Sequence, residues 1–152
     1  YFDSPKLSLP KLIHLLKAKA VLCSGLTISF EDKNTGEKKE WHYQDGLRDY
    51  LRSMHVDLVC LPKEVFCGAV KTSEGMVDWA VQWLVEGGDL VAESYVNLIP
   101  TVQGGTHVNG FRGGLLEGMR EFCEFRDLLP KGVKLSPEDV WERTSFVLSH
   151  KL

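Results

Sequence analysis

Apolar positions recur along the N-terminal third of the chain with two different periods. Apolar residues at a spacing of three and four after Ser8 predict a first helix that ends by Gly25: Leu9, Leu12, Ile13, Leu16 and Ala20. Alternating residues 26–30 and 37–43, with a turn-rich connector between them, predict a β-hairpin. A short amphipathic helix is then predicted after Asp45 and Gly46, with one apolar side formed by Leu47, Tyr50, Leu51 and Met54.

The middle of the chain is rich in β-branched and aromatic residues and predicts a sheet. Residues 64–70, 77–84 and 90–99 are expected to be strands, and the short links between them predict an antiparallel meander. Alternation places Trp79 and Trp83 on one face of the second strand, and Asp78 and Gln82 on the other. We expect the tryptophan face to lie beneath a helix.

The longest helix is predicted just after a pair of glycines. Pro100 ends the third strand, because proline cannot donate to a β-ladder. Gly104 and Gly105 permit a change of backbone direction, and Thr106 is a suitable N-cap residue. The apolar stripe of the helix is formed by Val108, Phe111, Leu115, Met119 and Phe122.

A second stripe of that helix is made of glycines four residues apart. Gly110, Gly114 and Gly118 each cost helix stability, so the stripe predicts that the bare backbone packs tightly against a sheet or a neighbouring helix. The exposed turn at residues 104–107 is the better functional candidate of the two glycine features.

The last part of the chain predicts one more helix and one more strand. Ser136 is a good N-cap residue for a short helix that ends near Arg143, and Phe146, Val147 and Leu148 predict a strand. The elements after residue 43 therefore predict an α+β fold in which helices cover one face of a sheet.

Composition and charge exclude several classes of protein. The chain has 152 residues, 43% of them hydrophobic and 26% charged, which is typical of one globular domain and not of a disordered or membrane protein. A net charge of −3 argues against a surface dominated by phosphate contacts. The four cysteines form no metal-ligand spacing, so we expect reduced, partly buried thiols. The first residue is not methionine, and we expect the chain to be a fragment of an intracellular protein.

Side chains with catalytic potential have no partner at a suitable spacing. The acids Glu138 and Asp139 are explained by helix capping, and the glycine pair lacks the G-K-[ST] sequence of a P-loop. The residues therefore predict no catalytic, metal-binding or cofactor-binding side chain. His107 has two open interpretations, namely a local hydrogen bond or a relay between domains.

Three stretches of sequence resemble a known family. SYVNLIP, QGGTHVNGFRGGL and MREFCEFRDLLPKGVKLSPEDVWER are similar to the B subunit of bacterial DNA topoisomerase IV (ParE), and the similarity continues into YFDSPKLSLPKLIHLLKAKAVLCSG and YQDGLRDYL. The GGTH sequence followed by Gly-Phe-Arg is shared with gyrase B subunits, so the resemblance is to type IIA topoisomerases. Val102 stands where gyrase B subunits often have arginine, which favours topoisomerase IV.

The resemblance implies two domains and a coupling function. Residues 1–43 would be the C-terminal edge of a GHKL ATP-binding domain, and residues 44–152 a transducer domain resembling ribosomal protein S5 domain 2, truncated before a Gln-Thr-Lys loop. Gly104, Gly105, Thr106, His107, Gly110 and Gly114 would form a coupling element between ATP hydrolysis and DNA strand passage.

The resemblance also implies cofactors and partners for the intact enzyme. These are ATP and Mg²⁺, DNA, the A subunit of topoisomerase IV (ParC) and a second copy of the ATPase subunit when ATP is bound, in the cytoplasm and without a membrane. The isolated chain is expected to bind no ATP and to be inactive. Two alternatives remain open at this stage: a gyrase B transducer, or a phosphate-binding or RNA-binding domain with an S5-like fold.

Overall fold

Helices and strands follow one another largely in the predicted order. The computed structural model describes residues 7–152 and contains, in chain order, α1 (Leu9–Leu22), β1 (Thr27–Glu31), β2 (Lys38–His42), α2 (Leu47–Met54), β3 (Cys60–Thr72), β4 (Gly75–Leu84), β5 (Ala92–Val96), β6 (Ile99–Pro100), α3 (Thr106–Phe125), α4 (Pro137–Trp141) and β7 (Thr144–Lys151). The predicted strand at residues 90–99 is divided into β5 and β6 by a turn at Asn97 and Leu98.

The sheet is not a meander. Its strand order is β3-β4-β7-β5-β6, so β7 lies between β4 and β5. Leu148 of β7 is antiparallel partner to Trp79 of β4 and parallel partner to Ser94 of β5. The meander prediction is therefore wrong beyond the β3–β4 hairpin. The physical reason is burial: residues 144–149 of β7 are all buried, and a strand that is buried on both faces takes a central position in a sheet.

Both faces of this sheet are covered by helices. Ala80 and Val147 share a hydrophobic core with α1 and α2, whereas the adjacent strand positions Val81, Phe146 and Leu148 pack against α3. The α+β class is confirmed, and α3 covers the tryptophan face as expected. The expectation that helices cover one face only is wrong. The apolar side of α2 is buried against the sheet face that lies opposite α3.

The hairpin packs against α1, and α1 shares a core with α2 and the sheet. Strands β1 and β2 pair as a separate two-stranded sheet, with Thr27 opposite His42. Ala18, Val21 and Leu22 of α1 belong to the same core cluster as Leu51 of α2 and Val147 of β7. The helix α1 is therefore packed against the main body of the described chain and not detached from it.

Two smaller predictions concern the end of the chain and the thiols. Ser136 caps α4 in a capping box with Asp139, and α4 ends at Trp141, two residues before the predicted end. All four cysteines are free and half-buried, as expected. Within residues 7–152, no helix has the length and apolar character needed to cross a membrane.

Candidate functional site

The turn before α3 is built on two glycines in unusual backbone conformations. Gly104 has φ 72° and Gly105 has φ 153°, and Gly105 is the N-cap residue of α3. Thr106, which the sequence predicts as the N-cap residue, is instead the first residue of the helix, and the cap makes no side-chain hydrogen bond. A Cβ at Gly105 would lie 3.0 Å from the ring of His107, so the backbone angle favours glycine and any side chain here would require the His107 ring to shift.

His107 is hydrogen-bonded to the edge of the sheet. Its Nε2 lies 3.1 Å from Oγ1 of Thr101, and Thr101 Oγ1 lies 2.6 Å from Oγ of Ser94 on β5. The backbone N–H of Thr101 also donates to the carbonyl oxygen of Ser94 at 2.8 Å. The local hydrogen bond foreseen for His107 is therefore present, and it connects the start of α3 to β5.

The environment of His107 favours its neutral form. Burial, and then the neighbouring His150, lower the pKa of the His107 imidazole below its ordinary value. The two rings have centroids 6.4 Å apart, so a positive charge on His150 disfavours a proton on His107. His150 belongs to β7, and His107 thus contacts both the β5–β6 edge and the central strand.

The glycine stripe of α3 does not pack against anything in the described chain. A Cβ at Gly110, Gly114 or Gly118 would meet no heavy atom within 4 Å. The prediction of close packing is therefore wrong for residues 7–152. The reason is the orientation of the helix, because its opposite side, with Val108 and Leu116 buried, is the one that packs inward.

The inward side of α3 is held by aromatic contacts. The Phe111 ring lies 6.3 Å from Trp79, 6.0 Å from Trp141 and 5.8 Å from Phe146, measured between centroids. Phe122, predicted as part of the apolar stripe, is 55% exposed, so the packed part of the helix ends before it. The N-terminal half of α3 is therefore fixed to β4, β7 and α4.

A carboxylate between two tyrosines joins α2 to β5 and was missed by sequence reasoning. Tyr50 of α2 donates its hydroxyl to Oε1 of Glu93 at 2.8 Å, and Tyr95 donates to Oε2 at 2.7 Å. Burial, and then the bond to Glu93, raise the pKa of both phenols. The ammonium of Lys17 on α1 lies 5.1 Å from the Tyr50 ring centroid. The one signal in the sequence was the charged Glu93 inside a predicted strand.

A buried histidine network was also missed. His55, 5% exposed, follows α2, with Nδ1 at 3.1 Å from Oε1 of Gln82 and Nε2 at 3.1 Å from Oγ of Ser145. Ser145 Oγ accepts from the backbone N–H of Val91 at 3.0 Å. Every polar group of this network has a partner, so it pins α2 to the sheet and leaves no group free for chemistry.

Two cavities among the described residues are lined in part by acidic side chains. Within residues 7–152 no group of three His, Cys, Asp or Glu side chains is placed to bind a metal. A cavity of about 520 Å³ beside the C-terminal half of α3 is lined by carboxylates as well as cations, and one of about 650 Å³ beside β5 is lined by acids and no cation. Neither lining has the excess positive charge that favours binding of a nucleoside triphosphate.

Sequence comparison relates the chain to known topoisomerase subunits. A family model described as DNA gyrase B matches residues 46–152. The B subunit of DNA topoisomerase 4 from Pseudomonas aeruginosa is 66% identical over the whole chain. The chain spans about a quarter (24%) of that relative's length.

Solved structures agree with this relationship. The topoisomerase IV ATP-binding domain of Francisella tularensis, in complex with a small-molecule inhibitor, is 34% identical with a TM-score of 0.80, over 100% of this chain and 40% of that one. The 43K ATPase domain of Thermus thermophilus gyrase B, in complex with an aminocoumarin, is 22% identical with a TM-score of 0.83, over 99% of this chain and 41% of that one, and shows the shared fold. With a family model that matches residues 46–152, the chain belongs to the DNA gyrase B family.

Proposed function

We propose that this chain is part of the ATPase subunit of a topoisomerase IV, where it couples ATP binding and hydrolysis to the passage of one DNA duplex through another. The observation that carries the proposal is the shared core of α1, α2 and the five-stranded sheet, to which the loop of residues 104–107 is hydrogen-bonded. Because protein interiors are close-packed, a displacement of α1 acts directly on that sheet. The chain then serves to unlink DNA, relax supercoils and separate replicated chromosomes.

The proposed domain boundary lies just after the hairpin. Residues 1–43 are the edge of a GHKL ATP-binding domain, and residues 44–152 belong to an S5-like transducer domain. Two observations support this division: β1 and β2 form a sheet of their own, and the DNA gyrase B family model begins at residue 46.

ATP and Mg²⁺ are bound by the intact enzyme outside these residues. The acid-containing linings of the cavities beside α3 and β5 support this. So does the match to the topoisomerase IV ATP-binding domain of F. tularensis, of which this chain covers only 40%. The partners that go with this function are DNA, the A subunit of topoisomerase IV (ParC) and a second copy of the ATPase subunit, in the cytoplasm. In this arrangement Gly104, Gly105, Thr106 and His107 begin a coupling element that continues along α3 through Gly110 and Gly114.

The alternatives have less support. The gyrase B structure is 22% identical, against 66% for the topoisomerase 4 B subunit of P. aeruginosa, so a topoisomerase IV is favoured over a gyrase. A phosphate-binding or RNA-binding domain is disfavoured by the net charge of −3 and by the cavity linings.

The proposal is tested with the full-length protein, reconstituted with its partner subunit in the presence of interlinked DNA circles. We expect ATP-dependent unlinking, and we expect His107→Ala to lower DNA-stimulated ATP turnover by roughly two- to thirty-fold, the range for residues that couple two sites. His42→Ala is the matched control, because His42 makes surface contacts on the hairpin, such as Nδ1 at 3.0 Å from Thr27 Oγ1. Equal loss of intrinsic and DNA-stimulated ATPase, with a lowered melting temperature, would leave His107 a structural role only.

The isolated chain supplies a second test. Calorimetry of residues 1–152 with a non-hydrolysable ATP analogue and Mg²⁺ should show no binding, because the cavities described above lack excess positive charge. Circular dichroism of the same sample serves as the control for folding. Micromolar affinity would place nucleotide-binding residues inside this chain and contradict the proposed division of labour.

A further inference from the structure

The turn between β5 and β6 has a backbone conformation that its residues rarely adopt. Asn97 has φ 47° and Leu98 has φ 67°. Asparagine tolerates this left-handed region, but leucine is uncommon there. Residues in such conformations persist where the surrounding structure holds them, and they concentrate at sites with a function.

Two elements distant in sequence hold this turn in place. The ammonium of Lys19 on α1 donates to the carbonyl oxygen of Leu98 at 2.5 Å, and the Leu98 side chain packs against the core shared by α1 and α2. On the other side, the backbone N–H of Asn97 donates to the carbonyl oxygen of His150 at 2.8 Å. The Asn97 side-chain oxygen accepts from the backbone N–H of Leu152, also at 2.8 Å.

The turn leads directly to the loop before α3. Only β6, which is Ile99–Pro100, separates Leu98 from Thr101, and Thr101 is the residue that contacts His107. The turn therefore contacts α1, the end of β7 and the element that carries His107. Its own hydrogen bonds reach α1 and the end of β7, and the chain through β6 connects it to Thr101.

We propose that the Asn97–Leu98 turn is the positioning element that transmits movements of α1 and of the end of β7 to the loop of residues 104–107. This inference rests on the proposed coupling function. In the ATP-bound enzyme, a shift of α1 displaces Lys19 and with it the Leu98 carbonyl. A shift of the chain after β7 displaces the Leu152 amide and with it Asn97. Both reach Thr101 through β6, and His107 through Thr101.

The test uses two substitutions of Asn97 in the full-length protein, reconstituted with its partner subunit. Asn97→Gly keeps the positive φ and removes the oxygen that accepts from Leu152, whereas Asn97→Asp keeps an oxygen at that place and tolerates the same φ. The measurements are ATP hydrolysed per DNA unlinking event, the KM for ATP and the melting temperature. Lys19→Met tests the contact with α1, and Lys11→Met, at an exposed position of the same helix, is its control.

We expect Asn97→Gly and Lys19→Met to raise the ATP consumed per event by roughly two- to thirty-fold at an unchanged KM for ATP, and Asn97→Asp and Lys11→Met to behave like the unchanged enzyme. A wild-type ratio of ATP to unlinking events in Asn97→Gly would overturn the inference and leave the proposed function standing. So would a parallel fall of ATPase and unlinking with a lowered melting temperature, because that pattern shows a structural role only. Failure of the unchanged enzyme to unlink DNA with ATP would overturn the proposed function, and this inference with it.

Discussion

The same substitution at two glycines of the candidate coupling element should change stability in opposite directions. Gly105 has φ 153°, and a Cβ there would lie 3.0 Å from the His107 ring. Gly114 lies within α3 at an ordinary helical φ, and a Cβ there would meet no atom within 4 Å. Gly105→Ala is therefore expected to destabilise the chain, and Gly114→Ala to stabilise it.

The magnitudes follow from backbone strain, hydrogen bonding and chain entropy. Alanine at the φ of Gly105 costs on the order of 1–3 kcal/mol. Displacing the His107 ring from Thr101 costs about 0.5–1.5 kcal/mol more. Alanine in place of an exposed helical glycine such as Gly114 gains about 0.5–1 kcal/mol. The two variants should thus differ by about 2–5.5 kcal/mol in their free energy of unfolding.

Urea unfolding of the unchanged chain and both variants, followed by circular dichroism, measures this difference. Melting temperatures give a second measure, at about 2–4 °C per kcal/mol for a chain of this size. A loss of more than about 1 kcal/mol in Gly114→Ala would refute the exposure of that helix face. Unchanged stability in Gly105→Ala would refute the conclusion that its backbone angle and the His107 ring together fix the turn.

Three further predictions concern groups whose partners only the structure shows. Tyr50→Phe should lower the free energy of unfolding by about 1–2 kcal/mol, because it removes a donor to the Glu93 carboxylate; Tyr43→Phe, with a ring at the same core, is the control, and equal losses would argue against this hydrogen bond. Burial and Glu93 raise the pKa of Tyr50, so stability should fall as pH rises above about 10, where unfolded tyrosines ionise. The tyrosinate absorbance at 295 nm that is lost in Tyr50→Phe should appear only with unfolding. The pKa of His107 is lowered by burial and by His150, so its contribution to stability is complete above pH of about 6.5 and decreases as pH falls below that value; a His107→Gln variant with an unchanged pH profile would contradict this assignment.

Most of the local structure could be predicted, because the signals for it are local. Helical spacing after Ser8, alternation in the hairpin and the capping box at Ser136 each involve residues within a few positions of one another. The turn at residues 104–107 is also predicted by a local signal, because a glycine pair directly precedes a long stretch with apolar residues at helical spacing. The shift of the N-cap from Thr106 to Gly105 is a difference of one residue, within the usual variation of helix boundaries.

The contacts of the candidate site could not be predicted in the same way. The hydrogen bond between His107 and Thr101 depends on the turn between β5 and β6. The alternation of residues 90–99 predicts a single strand there, so it gives no sign of this turn. The bridge from Tyr50 to Glu93 joins residues 43 positions apart. In neither pair does the sequence around one residue indicate which residue is its partner.

The sequence by itself determined the elements, the α+β class and the resemblance to type IIA topoisomerases, because composition, period and motif are properties of the chain alone. Only the tertiary structure decided that β7 lies between β4 and β5, that helices cover both faces, and that the glycine stripe of α3 faces outward. The physical reason is that strand pairing and helix orientation minimise the free energy of the whole core. A strand such as β7 is placed by what it can bury on its two faces against residues far away in the sequence.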